Sequence, residues 1–181
     1  MLKILDTTLR DGNYAVDFKF TAKDMTLIAS ALDQCGMPMI EIGHGLGLNA
    51  GGQRDMLSAS TDMEMLVAAA EAIKSNQWGM FFIPEIGRME DMELAARHGM
   101  KFIRIGTNVT KTVEAQKYVA RAKELGLLVS CNFMKTYALS PDQVGAKAAE
   151  AQKFGADIVS VVDSAGGFLP EDIEAYFSAG L

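Results

Sequence analysis

Leu5-Asp6-Thr7-Thr8-Leu9-Arg10-Asp11-Gly12-Asn13-Tyr14, close behind the amino terminus, is the stretch on which the reading of this chain turns. Ile4 and Leu5, with the β-favouring Thr7 and Thr8, start an extended segment. It runs into Arg10-Asp11-Gly12, a guanidinium and a carboxylate followed by a residue that permits a sharp turn. Charge therefore gathers where a strand ends. In parallel α/β proteins that end carries the chemistry, because the loops converge there and helix N-termini point at it. An Asp can hold a hard divalent cation, and an adjacent Arg can bind a carboxylate or an enolate oxygen in bidentate fashion. The plainer alternative is a surface turn closed by a weak ion pair.

The rest of the chain supplies the context. At 181 residues it can bury a sizeable core and suits one domain over 1–181. Hydrophobic residues make up 49% and charged residues 22%, as in ordinary globular proteins and against disorder. The net charge of −6 provides no basic field for nucleic acid or an anionic membrane, so a small acidic metabolite would rely on local cations such as Arg10. No apolar run is long enough to cross a bilayer, and Met1-Leu2-Lys3-Ile4 enters strand-like sequence without a signal-peptide pattern, so the expected compartment is the cytoplasm. Cys35 and Cys131 are too few for a disulfide framework or a four-cysteine zinc site.

Short apolar strands alternate with helical patterns, the signature of repeated βα units. Thr21-Ala22-Lys23-Asp24 starts a helix whose face is Met25, Leu27, Ile28, Ala31 and Leu32, and Cys35-Gly36 ends it. Met39 to Gly43 is the second strand, opening into His44-Gly45-Leu46-Gly47-Leu48-Asn49-Ala50-Gly51-Gly52. That loop departs from the G-x-G-x-x-G order and lacks a following acidic strand end, which excludes NAD. Further strands are expected at Trp78–Pro84, Lys101–Gly106, Leu127–Phe133 and Ile158–Val162, with helices at Met63–Ser75, Gly87–His98, Val113–Leu125, from Ser140-Pro141-Asp142 to Phe154, and from Pro170 towards Leu181. About six βα units without a linker make one continuous array, compatible with a doubly wound sheet or with a (β/α)8 barrel that has not reached its usual ~250 residues.

Asp6-Thr7-Thr8-Leu9-Arg10-Asp11-Gly12 resembles the opening motif of the metal-dependent barrel lyases and synthases of the hydroxymethylglutaryl-CoA lyase superfamily. Matches continue at Ile40-Glu41-Ile42-Gly43-His44-Gly45-Leu46-Gly47-Leu48, Ile103-Arg104-Ile105-Gly106-Thr107-Asn108 and Asp163-Ser164-Ala165-Gly166-Gly167. The His-Gly-x-Gly-Leu loop and the Asp-Ser-x-Gly-Gly ending are most similar to the 4-hydroxy-2-oxovalerate aldolase branch. The resemblance implies an incomplete TIM-type (β/α) barrel, about six units of the usual eight. It further implies cleavage of a 4-hydroxy-2-oxo acid through a pyruvate enolate. Asp11 would be a ligand of Mn²⁺ or Mg²⁺, and Arg10 would stabilise the enolate oxygen. Glu41 and His44 would face the same mouth, and Asp163 and Ser164 would position substrate or metal-bound water.

Two positions depart from that pattern. The branch carries a His three residues after the metal-binding Asp as general base, where this chain has Tyr14, a phenol that ordinarily titrates near pH ~10 and is better suited to donating a proton. His44 would then be the substitute base. The family's His-x-His pair of metal ligands is not in this chain, whose histidines are His44 and His98, so the other metal ligands must come from elsewhere. Open strand edges would then invite a homo-oligomer or a partner polypeptide that completes the barrel. Two other functions stand beside the aldolase: a catalytically silent barrel fragment used for assembly or binding, and a Claisen-type acyl-CoA synthase, whose motif usually continues Glu-Gln where this chain has Asn13-Tyr14.

Other residues have plainer explanations. Glu41 can serve polar groups of the interior as well as a reaction. His98 suits a helix C-terminus, Cys131 the core, and Lys135 an exposed position beyond a strand end. The twelve Met are core and helix filler. Of Arg104 and Ile105, at most one faces inward, because side chains alternate along a strand.

Overall fold

A computed structural model of the chain describes residues 3–53 and 55–179; Met1 and Leu2, where strand-like sequence is expected to begin, and the terminal Leu181 lie outside the described residues. The fold divides into two compact units, Met1–Ile103 and Arg104–Leu181.

In the first unit, strand β1 (Leu5–Asp6) is followed by a 3₁₀ helix, Asp11–Val16, then helix α1 (Ala22–Gln34), β2 (Met39–Ile42), α2 (Asp62–Ala72), β3 (Gln77–Phe82) and α3 (Met89–Arg97). β1 runs parallel to β2, with Leu5 opposite Met39, and β2 runs parallel to β3, with Ile42 opposite Met80. All four residues of β2 are buried, as expected for a strand covered on both faces. Leu9, Met25, Ile40, Ile42, Met65, Met80 and Met92 have no exposed surface, so several methionines are indeed core filler.

β4 (Phe102–Asn108) runs from the first unit into the second. After it come a 3₁₀ helix (Val109–Ala115), α4 (Gln116–Glu124), β5 (Leu128–Met134), a short 3₁₀ turn (Thr136–Ala138), α5 (Pro141–Phe154), β6 (Ile158–Val161) and α6 (Pro170–Ala179). β5 and β6 are parallel, Ser130 opposite Ile158 and Phe133 opposite Val161. Strand order in the sheet is chain order, β1 to β6. A doubly wound sheet reverses direction partway, whereas an order that never reverses is that of a singly wound (β/α) barrel. The fold is therefore TIM-type, carrying six βα units.

Local chemistry accounts for most helix starts. The Thr21 hydroxyl accepts from the Asp24 N–H while the Asp24 carboxylate accepts from the Thr21 N–H, a reciprocal capping box repeated by Thr61 with Glu64. Ser140 precedes Pro141 at the first helical position of α5. His98 caps the end of α3, its Nδ1 hydrogen-bonded at 2.9 Å to the Leu94 carbonyl.

Two segments differ from expectation. The helix expected over Val113–Leu125 starts later, at Gln116: Val113–Ala115 belong to the 3₁₀ helix that begins at Val109 and is kinked at Lys111. Four β-branched residues, Val109, Thr110, Thr112 and Val113, crowd that first part and disfavour α-helix there. The turn expected at Arg10-Asp11-Gly12 is wound further: the N–H groups of Arg10, Asp11 and Gly12 all converge on the Thr7 carbonyl, at 3.0, 2.7 and 3.4 Å.

Asp33, in the last turn of α1, accepts hydrogen bonds from the backbone N–H groups of Lys74, Ser75 and Asn76. These bonds, that of Lys74 foremost, hold its carboxyl below the ordinary value. Asp33→Ala is expected to lower the melting temperature by roughly 5 °C. Because the folded value is depressed, the wild-type advantage is present above the unfolded value near ~3.9 and lost as pH falls through the folded one. Thermal unfolding of both proteins at neutral and acid pH checks it.

Candidate active site

The ends of β1 and β2 in the first unit carry the charged motif. Arg10 donates from Nε to Glu41 on β2, a side chain with no exposed surface, and from Nη1 to Asp11 Oδ1 at 2.6 Å. Nη1 also lies 3.5 Å from the Gly45 carbonyl, and the guanidinium carbon stands 5.0 Å from the Phe81 ring centre. The Arg10 side chain is 12% exposed and that of Asp11 is 61% exposed. A guanidinium held by a buried carboxylate on one edge and an aromatic face on another is rigid, and a rigid cation stabilises charge developing in a reaction without reorganising. Among the described residues Arg10 Nη2 makes no hydrogen bond.

Tyr14 stands in the same 3₁₀ helix, 43% exposed. Its ring packs edge-on against Phe18, centroids 5.0 Å apart, and Phe18 in turn stacks on the His44 imidazole at 4.3 Å. Partial burial raises the Tyr14 phenol above its ordinary value; Arg10 opposes that and Asp11 reinforces it. Tyr14 is therefore a neutral donor at physiological pH.

His44 is fully buried and both of its ring nitrogens are engaged. Nδ1 accepts from the Leu46 N–H at 3.1 Å and Nε2 faces the Met56 carbonyl at 2.8 Å. A backbone N–H can only donate and a carbonyl can only accept, so the imidazole is the neutral Nε2–H tautomer with no lone pair left for a substrate proton.

In the second unit, Asp163 accepts from the N–H groups of Ala165, Gly166 and Phe168, so its carboxylate organises its own loop. Ser164 Oγ accepts from the Lys135 N–H at 2.9 Å, pinning the exposed left-handed Lys135 (φ 55°). Ile105 is buried, while Arg104 Nη2 donates to Asn132 Oδ1 at 2.5 Å. Cys131 is in the core, where burial pushes its thiol up to about 11.

The described residues do not by themselves complete a site for a divalent cation. Asp11 has one oxygen on Arg10, and among the described residues no three His, Cys, Asp or Glu side chains are gathered as metal ligands.

Sequence reasoning passed over Asn13, Gly45 and Asn132. Asn13 is fully buried and donates from Nδ2 to the Gly43 carbonyl at 3.2 Å, while its Oδ1 has no partner. The available signal for Asn132 was a polar side chain inside the otherwise mostly apolar Leu128–Met134 strand.

A singly wound set of βα units with charged residues gathered at its strand ends is TIM-type barrel architecture. The HMGL-like family model matches residues 1–179, and the chain belongs to that family. It is 38% identical over 178 residues to the 4-hydroxy-2-oxovalerate aldolase of Moorella thermoacetica, covering 98% of this chain and 53% of that protein. It is also 38% identical over 176 residues to the oxaloacetate decarboxylase of Mycobacterium tuberculosis, covering 97% and 52%. The chain thus spans about half the length of the curated relatives it matches. Among solved structures, the N-terminal domain of a putative aldolase from Bacteroides vulgatus aligns with TM-score 0.77 and 22% identity over 99% of this chain and 60% of that one. The carboxyl transferase domain Y628A of Rhizobium etli pyruvate carboxylase with pyruvate aligns with TM-score 0.78 and 18% identity, covering 98% and 34%. These structural likenesses concern the fold. No helix among the described residues is long and apolar enough to cross a membrane.

Proposed function

We propose that this chain carries the enolate-stabilising part of a carbon–carbon lyase that breaks the C3–C4 bond of a small 2-oxo acid, with a 4-hydroxy-2-oxo acid as substrate. Support comes from one observation above all: the Arg10 guanidinium is locked by buried Glu41 with its Nη2 still available. Breaking C3–C4 leaves the bonding pair on C3, delocalised as a pyruvate enolate, and releases an aldehyde from the C4 hydroxyl carbon as that hydroxyl passes its proton to a solvent base. Arg10 binds the C2 oxygen as it becomes negative, and Tyr14 returns a proton towards C3. Glu41 holds Arg10, and His44 supports Tyr14 through Phe18. Asp163 and Ser164 shape the loop after β6. A divalent cation, Mn²⁺ or Mg²⁺, would lower the cost of the enolate charge; Asp11 is the donor this chain offers, and the remaining ligands would come from a second copy, a partner polypeptide or sequence outside this chain.

A second reading is favoured by a specific feature: both His44 nitrogens are engaged, so the imidazole is not the base that retro-aldol cleavage would use. Retro-aldol cleavage needs a base for the C4 hydroxyl. Decarboxylation of a 2-oxo acid with a C4 carboxylate does not: carbon dioxide departs, the same enolate forms, and only Arg10 and Tyr14 are required.

Pyruvate release, coupled to lactate dehydrogenase, tests both. The protein is given 4-hydroxy-2-oxopentanoate or oxaloacetate, with and without Mn²⁺, and Asp11→Asn is expected to cut the Mn²⁺-dependent rate at least about hundredfold. Release from the first substrate supports the aldolase, and release from oxaloacetate alone supports the decarboxylase. No pyruvate from either would leave an assembly module as the function.

A further inference from the structure

We propose that Gly45 and Asn13 are positioning residues whose task is to seat the Tyr14 ring; this rests on the reading of Tyr14 as the proton donor. Glycine at 45 is not demanded by its backbone. Its neighbours Gly43 and Gly47 adopt φ of 111° and 91°, conformations that a side chain strains, whereas Gly45 has no such φ. What excludes a side chain at 45 is the phenol: a Cβ there would stand 2.5 Å from Tyr14 Cε2 and 2.7 Å from Cζ. Any other residue would push the hydroxyl end of the ring away.

Asn13 ties down the same segment from the other side. Its Nδ2 donates to the Gly43 carbonyl, and Arg10 Nη1 reaches the Gly45 carbonyl, so residues 43–45 are held against the 3₁₀ helix at two points. Flipping the amide would set oxygen against oxygen at Gly43, so the orientation is dictated. Oδ1 is then left buried without a donor, a cost that a leucine of similar size would avoid. A polar group retained at such a cost, adjacent in sequence to Tyr14 and bonded to the loop under its ring, serves the placement of that ring.

The test is nuclear Overhauser contact between the Tyr14 and Phe18 rings, combined with steady-state kinetics of pyruvate release. In Gly45→Ala the Tyr14–Phe18 contact is expected to disappear and kcat to fall at least about tenfold, with KM within about twofold. In a Tyr14→Phe background the Gly45→Ala substitution is expected to cost nothing further. Gly52→Ala in the same loop, where a Cβ meets no atom within 4 Å, should leave contact and rate unchanged. Should Gly45→Ala fail to fold by circular dichroism, Asn13→Ala is read in the same way. Persistence of the wild-type Tyr14–Phe18 contact in the folded variant, or additive losses in the double variant, overturns the proposal. A protein that releases no pyruvate refutes the proposed function, while the ring contact still decides the seating of Tyr14.

Discussion

Arg10→Met is expected to lower the melting temperature by about 10 °C and to abolish pyruvate release. Glu41 has no exposed surface and the Arg10 side chain is only 12% exposed, so removing the guanidinium takes a charged partner away from a buried carboxylate. Breaking a buried pair from one side typically costs about 3–5 kcal/mol, and in a chain of this size each kcal/mol moves the midpoint by about 2–4 °C. Replacing both partners, Arg10→Met with Glu41→Leu, removes the buried charge as well and should recover much of the stability while leaving the rate at background. That divergence separates the two duties of the pair, because packing can be restored by apolar groups and stabilisation of an enolate cannot. A double variant as unstable as the single one would mean that the ion pair is not what holds Glu41 in the fold. Differential scanning calorimetry alongside the coupled assay reads both quantities.

Tyr14→Phe is expected to lower kcat about 10²–10³-fold with little change in melting temperature. The ring, which packs on Phe18 and over Gly45, is kept, and the hydroxyl that is lost makes no hydrogen bond among the described residues. The pH dependence supplies a second signature. Burial raises the phenol above its ordinary value, so the donor stays protonated through the neutral range and wild-type activity should decline only above about pH 10. The Phe variant should lack that alkaline limb. An unchanged kcat would move the proton-donating role away from Tyr14 and, with His44 spent on the backbone, onto a group outside the first unit's charged cluster.

The contrast between Tyr14 and His44 illustrates where sequence reading ends. Histidine is the ordinary general base, and its place at the end of β2 recommended it; the bonds to Leu46 and Met56 that occupy its ring are made by a loop closing back on it and leave no trace in local sequence. Asp163 is similar, since its carboxylate is taken up by N–H groups of residues 165, 166 and 168. Asp11, expected as a metal ligand, has one oxygen bonded to its own neighbour Arg10, and among the described residues no further donors are gathered with it.

Local chemistry was legible in the residues themselves. Alternating apolar strands and amphipathic helices, the Thr21–Asp24 capping box, Ser140 before Pro141 and the charged end of β1 follow from interactions a few residues apart, which any conformation of that segment can sample. The alternation of strands and helices alone did not decide whether the sheet winds singly or reverses, because both folds are built from the same βα unit and differ only in which strand lies beside which; the motif resemblance implied the barrel, and the strand order bears it out. The Arg10–Glu41 pair, the orphaned Asn13 oxygen and the bare Gly45 beneath Tyr14 join residues about thirty positions apart. Only the parallel pairing of β1 with β2 brings them into contact, and with that contact comes the buried charge on which the proposed chemistry depends.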